Sequence, residues 1–135
     1  MDPKISVRRF DFIQDMPDVR SWWEASGWPE VPSDHLSTDG YMGEINGNKA
    51  IAAWVYHTNS SFCLLEFIVM NPSVRRAERE AVFNQFVDYM IEYTKDLGFK
   101  TMFLTTKSQG LISRLQKKGF QATETGMTSL VGRLK

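Results

Sequence analysis

The sequence predicts an α/β (α+β) fold, in which a mixed, mostly antiparallel central sheet with one parallel crossover packs against flanking helices. The 135 residues are enough for a single domain, residues 1–135, because compact domains usually run to about 100–150 residues. An Asn46-Gly47 turn between two alternating segments predicts an antiparallel hairpin. A long helical pattern between two apolar segments predicts the crossover, with its two strands parallel.

The N-terminal part of the chain predicts a strand, a helix and a loop. Residues 5–10 alternate apolar and charged side chains, as a modest strand does. Asp15 stands before Pro17 and predicts the N-cap of a first helix that ends at Gly27. Residues 28–38 are rich in proline and polar residues that fit neither helical nor strand periodicity, so they predict a loop.

The next segments predict a three-stranded meander. Gly40–Ile45 pairs with residues 50–57 across the Asn46-Gly47-Asn48 turn, because Asn-Gly is the strongest short hairpin signal. Phe62–Met70 follows a polar turn and predicts the third strand.

A long amphipathic segment follows the meander. Apolar residues recur at intervals of three and four over residues 74–97 and predict a helix that ends at Gly98. Residues 100–106 then predict a strand. Together with Phe62–Met70, this helix and strand form a crossover unit, so we expect the two strands to be parallel.

The C-terminal part predicts one short helix and two strands. Residues 108–118 place their apolar side chains on one helical face, and Gly119 is expected to end the helix. Residues 121–134 predict two strands that turn near Gly126.

Composition excludes several classes of function. The 16 Lys and Arg residues balance the 16 Asp and Glu residues, so no overall field attracts nucleic acid or an anionic membrane. The single cysteine, Cys63, cannot form an intramolecular disulfide, and the start of the chain lacks the apolar stretch of a signal peptide. We therefore expect a cytoplasmic protein that recognises its partners locally, with neither nucleic acid nor a membrane among them.

The histidines and the cysteine are weak candidates for chemistry. His35 and His57 have no cysteine or aspartate at metal-ligand spacing, so we expect solvated or edge histidines and no metal site. Cys63 lies in an apolar strand, which favours a buried inert thiol over a nucleophile. The Gly-x-Ser-x-Gly motif of many hydrolases is absent from the sequence.

The tryptophans are expected in the core. Trp22 and Trp23 share a helical face and Trp54 alternates within a strand, and no basic stripe accompanies them as it would in a base-stacking platform. Trp28 precedes the proline-rich loop and is expected to be partly exposed over a pocket.

The passage from the third strand to the long helix is a candidate anion site. The first turn of a helix presents unpaired amides and positive dipole, and Arg75, Arg76 and Arg79 add three positive charges there. The alternative is that Arg76 and Glu80 are simply a solvated i, i+4 pair on an exposed turn.

The order of these elements resembles the GNAT superfamily of N-acetyltransferases over nearly the full chain. Residues 66–75, Glu-Phe-Ile-Val-Met-Asn-Pro-Ser-Val-Arg, are similar to the family's acyl-CoA-binding strand and turn. Residues 111–120, which end in Gly119-Phe120, are similar to its short helix beside the pantetheine arm.

The resemblance implies an acetyl-CoA-dependent N-acyltransferase whose acceptor is an amine of a protein or small molecule. It implies Glu66 as general base, because a strand acid in that position often accepts the proton of the incoming amine in the family. It also implies a set of cofactor-binding residues: Val69, Met70, Arg75, Arg76, Ala77, Arg79 and Ser108. The acceptor itself is not predicted, because loop shape rather than a motif selects it.

Two departures from the family pattern keep a second function open. Glu78 and Glu80 stand where the family turn has small residues that let phosphate approach closely. Leu115 stands where a tyrosine commonly protonates the leaving thiolate, and Ser108 where an asparagine is common. The alternative is a catalytically degenerate GNAT-fold module that acts through protein contacts, and such proteins are known among bacteriophage products.

Overall fold

The computed structural model describes residues 2–29 and 31–134. It contains five strands, three α-helices and a short 3-10 helix at Ser33–His35. In chain order the elements are β1 Ile5–Arg9, α1 Phe12–Ala25, β2 Gly40–Ile45, β3 Asn48–His57, β4 Phe62–Met70, α2 Arg76–Asp96, β5 Thr101–Phe103 and α3 Gln109–Lys117. In the described part of the chain, no helix combines the length and apolar character needed to cross a bilayer.

The chain divides into two compact units. The first ends at Thr105 and contains the sheet, α1 and α2, and the second begins at Thr106 and contains α3 and the C-terminal segment. The single domain remains a prediction.

The sheet has the strand order β1-β2-β3-β4-β5. Its first three pairs are antiparallel and the β4–β5 pair is parallel. The predicted mixed sheet, the meander and the parallel crossover are therefore confirmed.

The β2–β3 hairpin forms at the predicted turn. Asn46 has a φ of 51° and Gly47 a φ of 82°. Two successive residues with positive φ match the right-handed twist of the flanking strands, which is why Asn-Gly is favoured in two-residue hairpins.

The N-cap of α1 is Asp11, so the prediction of Asp15 was wrong. The Asp11 carboxylate accepts hydrogen bonds from the amides of Ile13 at 2.9 Å and Gln14 at 3.0 Å. Asp15 lies inside the helix with its side chain fully buried, and it accepts from the Arg8 guanidinium. Pro17 lies inside the helix as well, one turn later than expected. An aspartate at either position could cap the helix. The ion pair of Asp15 with Arg8 holds Asp15 inside the helix and leaves Asp11 as the cap.

The two long helices pack on the sheet through different sets of buried side chains. Trp22, Trp23 and Val19 of α1 share a buried cluster with Trp54 of β3. Helix α2 contacts β1, β2 and β3 through a buried apolar face: Val82, Phe83, Phe86, Val87 and Met90. Gly98, with a φ of 99°, follows its last turn as predicted.

The burial of the tryptophans is as the sequence indicated, whereas a pocket beside Trp28 remains a prediction. Trp22, Trp23 and Trp54 are buried, whereas Trp28 is 39% exposed. The Trp28 ring stacks on the Trp23 ring, with centroids 6.4 Å apart and an angle of 11° between the planes.

The end of the chain corrects two predictions. Strand β5 is limited to Thr101–Phe103, and residues 121–134 form no strand within the part that the structure describes. The apolar side chains of that segment are largely exposed: Met127, Leu130, Val131 and Leu134. A strand requires a partner edge, and an alternating pattern alone does not supply one.

Candidate functional site

Strand β4 is longer than its parallel partner β5. The parallel ladder joins Phe62 to Thr101 and ends where Leu64 faces Phe103. On its other side, β4 continues to pair with β3 as far as Met70. The second half of β4 therefore extends beyond the parallel ladder, and Glu66 is the second residue after its end.

A β-bulge lies in this second half of β4. Trp54 faces Glu66 and Ala52 faces Val69, so two residues of β4 are opposed by one residue of β3. Phe67 has a φ of 59°, which is unusual for a bulky side chain. A bulge bends the strand and redirects its side chains, and Glu66 comes directly before it.

Glu66 lines an open pocket of about 520 Å³. The other described lining residues are His35, Tyr56, Leu64 and Phe67. Burial raises the pKa of the Glu66 carboxyl, against the opposing effect of Thr105, whose hydroxyl donates to Oε2 at 3.2 Å. A carboxylate with a raised pKa is a stronger base than a solvated one.

The walls of the pocket are aromatic and tied to the loop before β2. The rings of Tyr56 and Phe67 meet edge to face with centroids 6.2 Å apart. The Tyr56 hydroxyl donates to the carbonyl of His35 at 2.7 Å, and Leu36, the next residue, is buried. These contacts fix the short helix Ser33–His35 at the rim of the pocket.

Asn71 connects the end of β4 to the turn before α2. Its side-chain amide donates to the carbonyl of Lys49 at 2.9 Å, and its side-chain oxygen accepts from the Ser73 amide at 2.9 Å. Its backbone amide donates to the carbonyl of Ala50 at 2.7 Å. The turn therefore has a defined course relative to β3.

The three arginines of the turn take different positions. Arg75 is the N-cap residue of α2 and provides no side-chain acceptor for the first amides of the helix, and both it and Arg76 are exposed. Arg79 instead folds back onto the turn, where Nε donates to the carbonyl of Val74 at 3.1 Å and Nη2 to that of Pro72 at 3.3 Å. Arg79 therefore holds the turn, a role that the sequence did not indicate.

Two residues implicated by resemblance lie in the second unit. Ser108 is the N-cap of α3, and its hydroxyl oxygen accepts from the Leu111 amide at 3.2 Å. Leu115 is buried and brings no proton donor.

A second polar cluster, which the sequence reading missed, surrounds Asp39. The buried carboxylate accepts hydrogen bonds from the hydroxyl of Tyr41 at 2.7 Å, the hydroxyl of Tyr93 at 2.8 Å and Nε2 of His57 at 2.7 Å. Arg9 lies 3.6 Å from it. An open pocket of about 460 Å³ adjoins this Asp39 cluster.

One signal could have located the cluster. Extending the hairpin register past the Gly40–Trp54 pair brings Asp39 towards the end of β3, where His57 lies. The hydrogen bond from the Val55 amide to the carbonyl of Asp39, at 2.9 Å, continues that register. His57 is thus paired with a carboxylate, whereas His35 is exposed.

The remaining chemical candidates are accounted for within the described residues. No group of three or more His, Cys, Asp and Glu side chains among them could hold a metal ion. Cys63 is buried, and burial raises the pKa of its thiol, which agrees with an inert cysteine.

Comparison with protein-family models and with curated proteins finds no significant match. Solved structures do match. The ribosomal-protein-S18-alanine N-acetyltransferase from Escherichia coli has a TM-score of 0.72 at 15% identity, over 90% of this chain and 80% of that one. The aminoglycoside N-acetyltransferase AAC(6')-Iy in complex with CoA has a TM-score of 0.64 at 19% identity, over 97% of both chains.

A GNAT-family acetyltransferase from Streptococcus pneumoniae has a TM-score of 0.61 at 12% identity, over 98% of this chain and 99% of that one. Identities this low describe architecture rather than activity. The chain has the GNAT fold, as the order of its elements indicated.

Proposed function

We propose that this protein is an acetyl-CoA-dependent N-acyltransferase that acetylates an amine of a small molecule or a protein. The observation that supports this most strongly is the position of Glu66, which lies just beyond the parallel ladder and lines an open pocket. The shared fold adds support, since one of the similar solved structures was determined with CoA.

The end of β4 and the start of α2 suit an extended acyl-CoA. Val69 and Met70, on the part of β4 beyond the parallel ladder, would align it by backbone hydrogen bonds. The first amides of α2, at Arg76 and Ala77, receive no side-chain cap from Arg75 and would donate hydrogen bonds to its phosphates. When bound, acetyl-CoA supplies a thioester, whose C–S bond breaks as the new C–N bond to the acceptor forms.

Glu66 is proposed to accept the proton that the attacking nitrogen loses. Its raised pKa makes it a better proton acceptor than a solvated carboxylate, and Thr105 holds one of its oxygens. The rings of Tyr56 and Phe67 line the same pocket and cover part of this side chain.

A second candidate function is a GNAT-fold binding module that has lost catalysis. Arg79, an expected phosphate ligand, donates instead to the carbonyls of Val74 and Pro72. Glu78 adds a negative charge to the first turn of α2, and Leu115 cannot protonate a thiolate. These features favour a protein partner over a nucleotide cofactor.

Isothermal titration with acetyl-CoA separates the two functions, with coenzyme A as the comparison. We expect micromolar binding of acetyl-CoA. If neither heat nor a thermal shift is seen at millimolar acetyl-CoA, the acyltransferase is excluded and the binding module is favoured.

Replacement of the base tests the mechanism. Glu66→Gln should lower turnover by about 100-fold or more and change the affinity for acetyl-CoA by less than about threefold. Turnover is measured as coenzyme A release with each of a panel of amines as acceptor. Glu24→Gln, which removes an exposed carboxylate from α1, is the matched control and should leave both unchanged. Equal losses in turnover and affinity for Glu66→Gln would contradict its role as base.

A further inference from the structure

The pocket beside Glu66 has a simple chemical composition. Its described lining residues provide one carboxylate, from Glu66, and the aromatic rings of Tyr56 and Phe67. Leu64 adds an aliphatic surface and His35 adds an imidazole, and the Tyr56 hydroxyl already donates to the carbonyl of His35. The pocket therefore combines one anionic group with largely apolar walls.

A single carboxylate in such a pocket matches a ligand with a single positive charge. A polycation brings further ammonium groups, and any of them that enters the pocket loses water without gaining a counter-charge from the described lining residues. An ammonium group near Glu66 also lies beside aromatic rings, which attract a cation through their faces.

The aromatic walls of the pocket also favour a particular kind of chemical group attached to the amine. The edge-to-face pair of Tyr56 and Phe67 offers an apolar surface. An apolar body, and a ring in particular, binds there favourably because its surface is removed from water. A volume of about 520 Å³ lies within the usual range of small-molecule sites, roughly 300–1,000 Å³.

We propose that this pocket binds a primary monoamine attached to an apolar, aromatic body, and that this class of amine is the acyl acceptor. The assignment of the acceptor rests on the proposed function, whereas the binding preference rests on the pocket alone. Glu66 recognises the ammonium group, and Tyr56 and Phe67 recognise the body.

Direct titration of the full chain tests the preference. Four probes are compared by isothermal titration, with and without coenzyme A: 2-phenylethylamine, ethanolamine, 2-phenylethanol and kanamycin. We expect 2-phenylethylamine to bind at least about tenfold more tightly than each of the others. The inference is overturned if kanamycin or ethanolamine binds as tightly as 2-phenylethylamine, or if 2-phenylethylamine does not bind in either condition.

Two variants separate recognition of charge from recognition of the ring. Glu66→Gln should weaken the binding of 2-phenylethylamine by about tenfold and leave the affinity for 2-phenylethanol unchanged. Glu24→Gln should alter neither affinity. Phe67→Leu keeps a side chain of similar bulk at the positive φ but removes the ring, and should weaken 2-phenylethylamine by about threefold. Unchanged 2-phenylethylamine affinity in Glu66→Gln would refute the charge recognition.

The same titrations distinguish failure of this inference from failure of the proposed function. If 2-phenylethylamine binds as expected but acetyl-CoA does not bind, the pocket preference stands and the acyltransferase fails. If acetyl-CoA binds but kanamycin is preferred, the acyltransferase stands and the monoamine preference fails.

Discussion

Arg8 on β1 and Asp15 on α1 form a two-point ion pair, with Nη1 2.8 Å from Oδ2 and Nη2 2.9 Å from Oδ1. The Asp15 side chain is fully buried, and Lys49 also reaches it at 3.0 Å. The pair joins the first strand to the first helix. It also accounts for the position of Asp15 inside the helix, since a buried carboxylate with these partners is not available as a cap.

Loss of Arg8 is expected to destabilise the protein. Arg8→Met should lower the free energy of unfolding by about 2–3 kcal/mol, because it leaves a buried carboxylate with fewer partners. Urea denaturation provides the measurement. Lys95→Met is the matched control, because Lys95 is exposed and pairs with Glu92 at 3.7 Å, and it should change stability by less than about 0.5 kcal/mol.

The same pair predicts a dependence of stability on pH. Burial raises the pKa of Asp15, but hydrogen bonds from Arg8, the Asp11 amide and Lys49 outweigh it and lower the pKa from 3.8 to about 2. A lowered pKa stabilises the folded state above pH 3.8, and this contribution is lost as the pH falls towards 2. Arg8→Met should lose less stability over that interval than the wild type does. An identical acid dependence in the two proteins would contradict this.

The Asp39 cluster gives a second stability prediction. Tyr93→Phe removes a hydroxyl that donates to both Asp39 oxygens, at 2.8 and 2.9 Å, and should cost about 1 kcal/mol. Tyr89→Phe, on the same helix but 43% exposed, is the control and should be nearly neutral. Thermal and urea unfolding of both variants check the difference, and equal stabilities would show that the hydroxyl contributes nothing.

Thr105 is expected to lower the pKa of Glu66. Burial raises the pKa of Glu66, and the Thr105 hydroxyl acts in the opposite direction. Because a base works when deprotonated, activity should rise with pH through the Glu66 titration. Thr105→Val removes the donor and should move that rise to higher pH, as measured from kcat/KM profiles. A shift to lower pH would contradict the assignment.

The acidic residues at the start of α2 predict weakened anion binding. Glu78→Gln with Glu80→Gln removes two negative charges without introducing glycine into the helix, and should tighten acetyl-CoA binding by about tenfold. Titration calorimetry at two ionic strengths provides the check, because a charge effect shrinks at high salt. Unchanged affinity would indicate that the first turn of α2 does not face the phosphates.

Local signals were sufficient for much of the fold. The Asn46-Gly47 hairpin and the helix before Gly98 formed where expected, because turn chemistry and helical periodicity are properties of short segments. The strands expected over residues 121–134 did not form, since strand pairing depends on a partner elsewhere in the chain. The two misassigned features of α1 have the same origin, a contact between Asp15 and a different element.

The candidate site was only partly visible in the sequence. Resemblance indicated Glu66, but neither the positive φ of Phe67 nor the end of the parallel ladder at Leu64 has a sequence signature here. The Asp39–His57 contact joins the residue before β2 to the last residue of β3, so spacing along the chain does not reveal it. The hairpin register brings them together, and register is a property of the folded sheet.

The stacked indoles of Trp23 and Trp28 give the protein an intrinsic optical label. Two indole rings with centroids 6.4 Å apart couple their electronic transitions, so the pair contributes to the circular dichroism spectrum. Trp23 belongs to the core, whereas Trp28 begins the segment that leads to His35 at the rim of the Glu66 pocket. Displacement of that segment would therefore register as a loss of ellipticity, with no added chromophore.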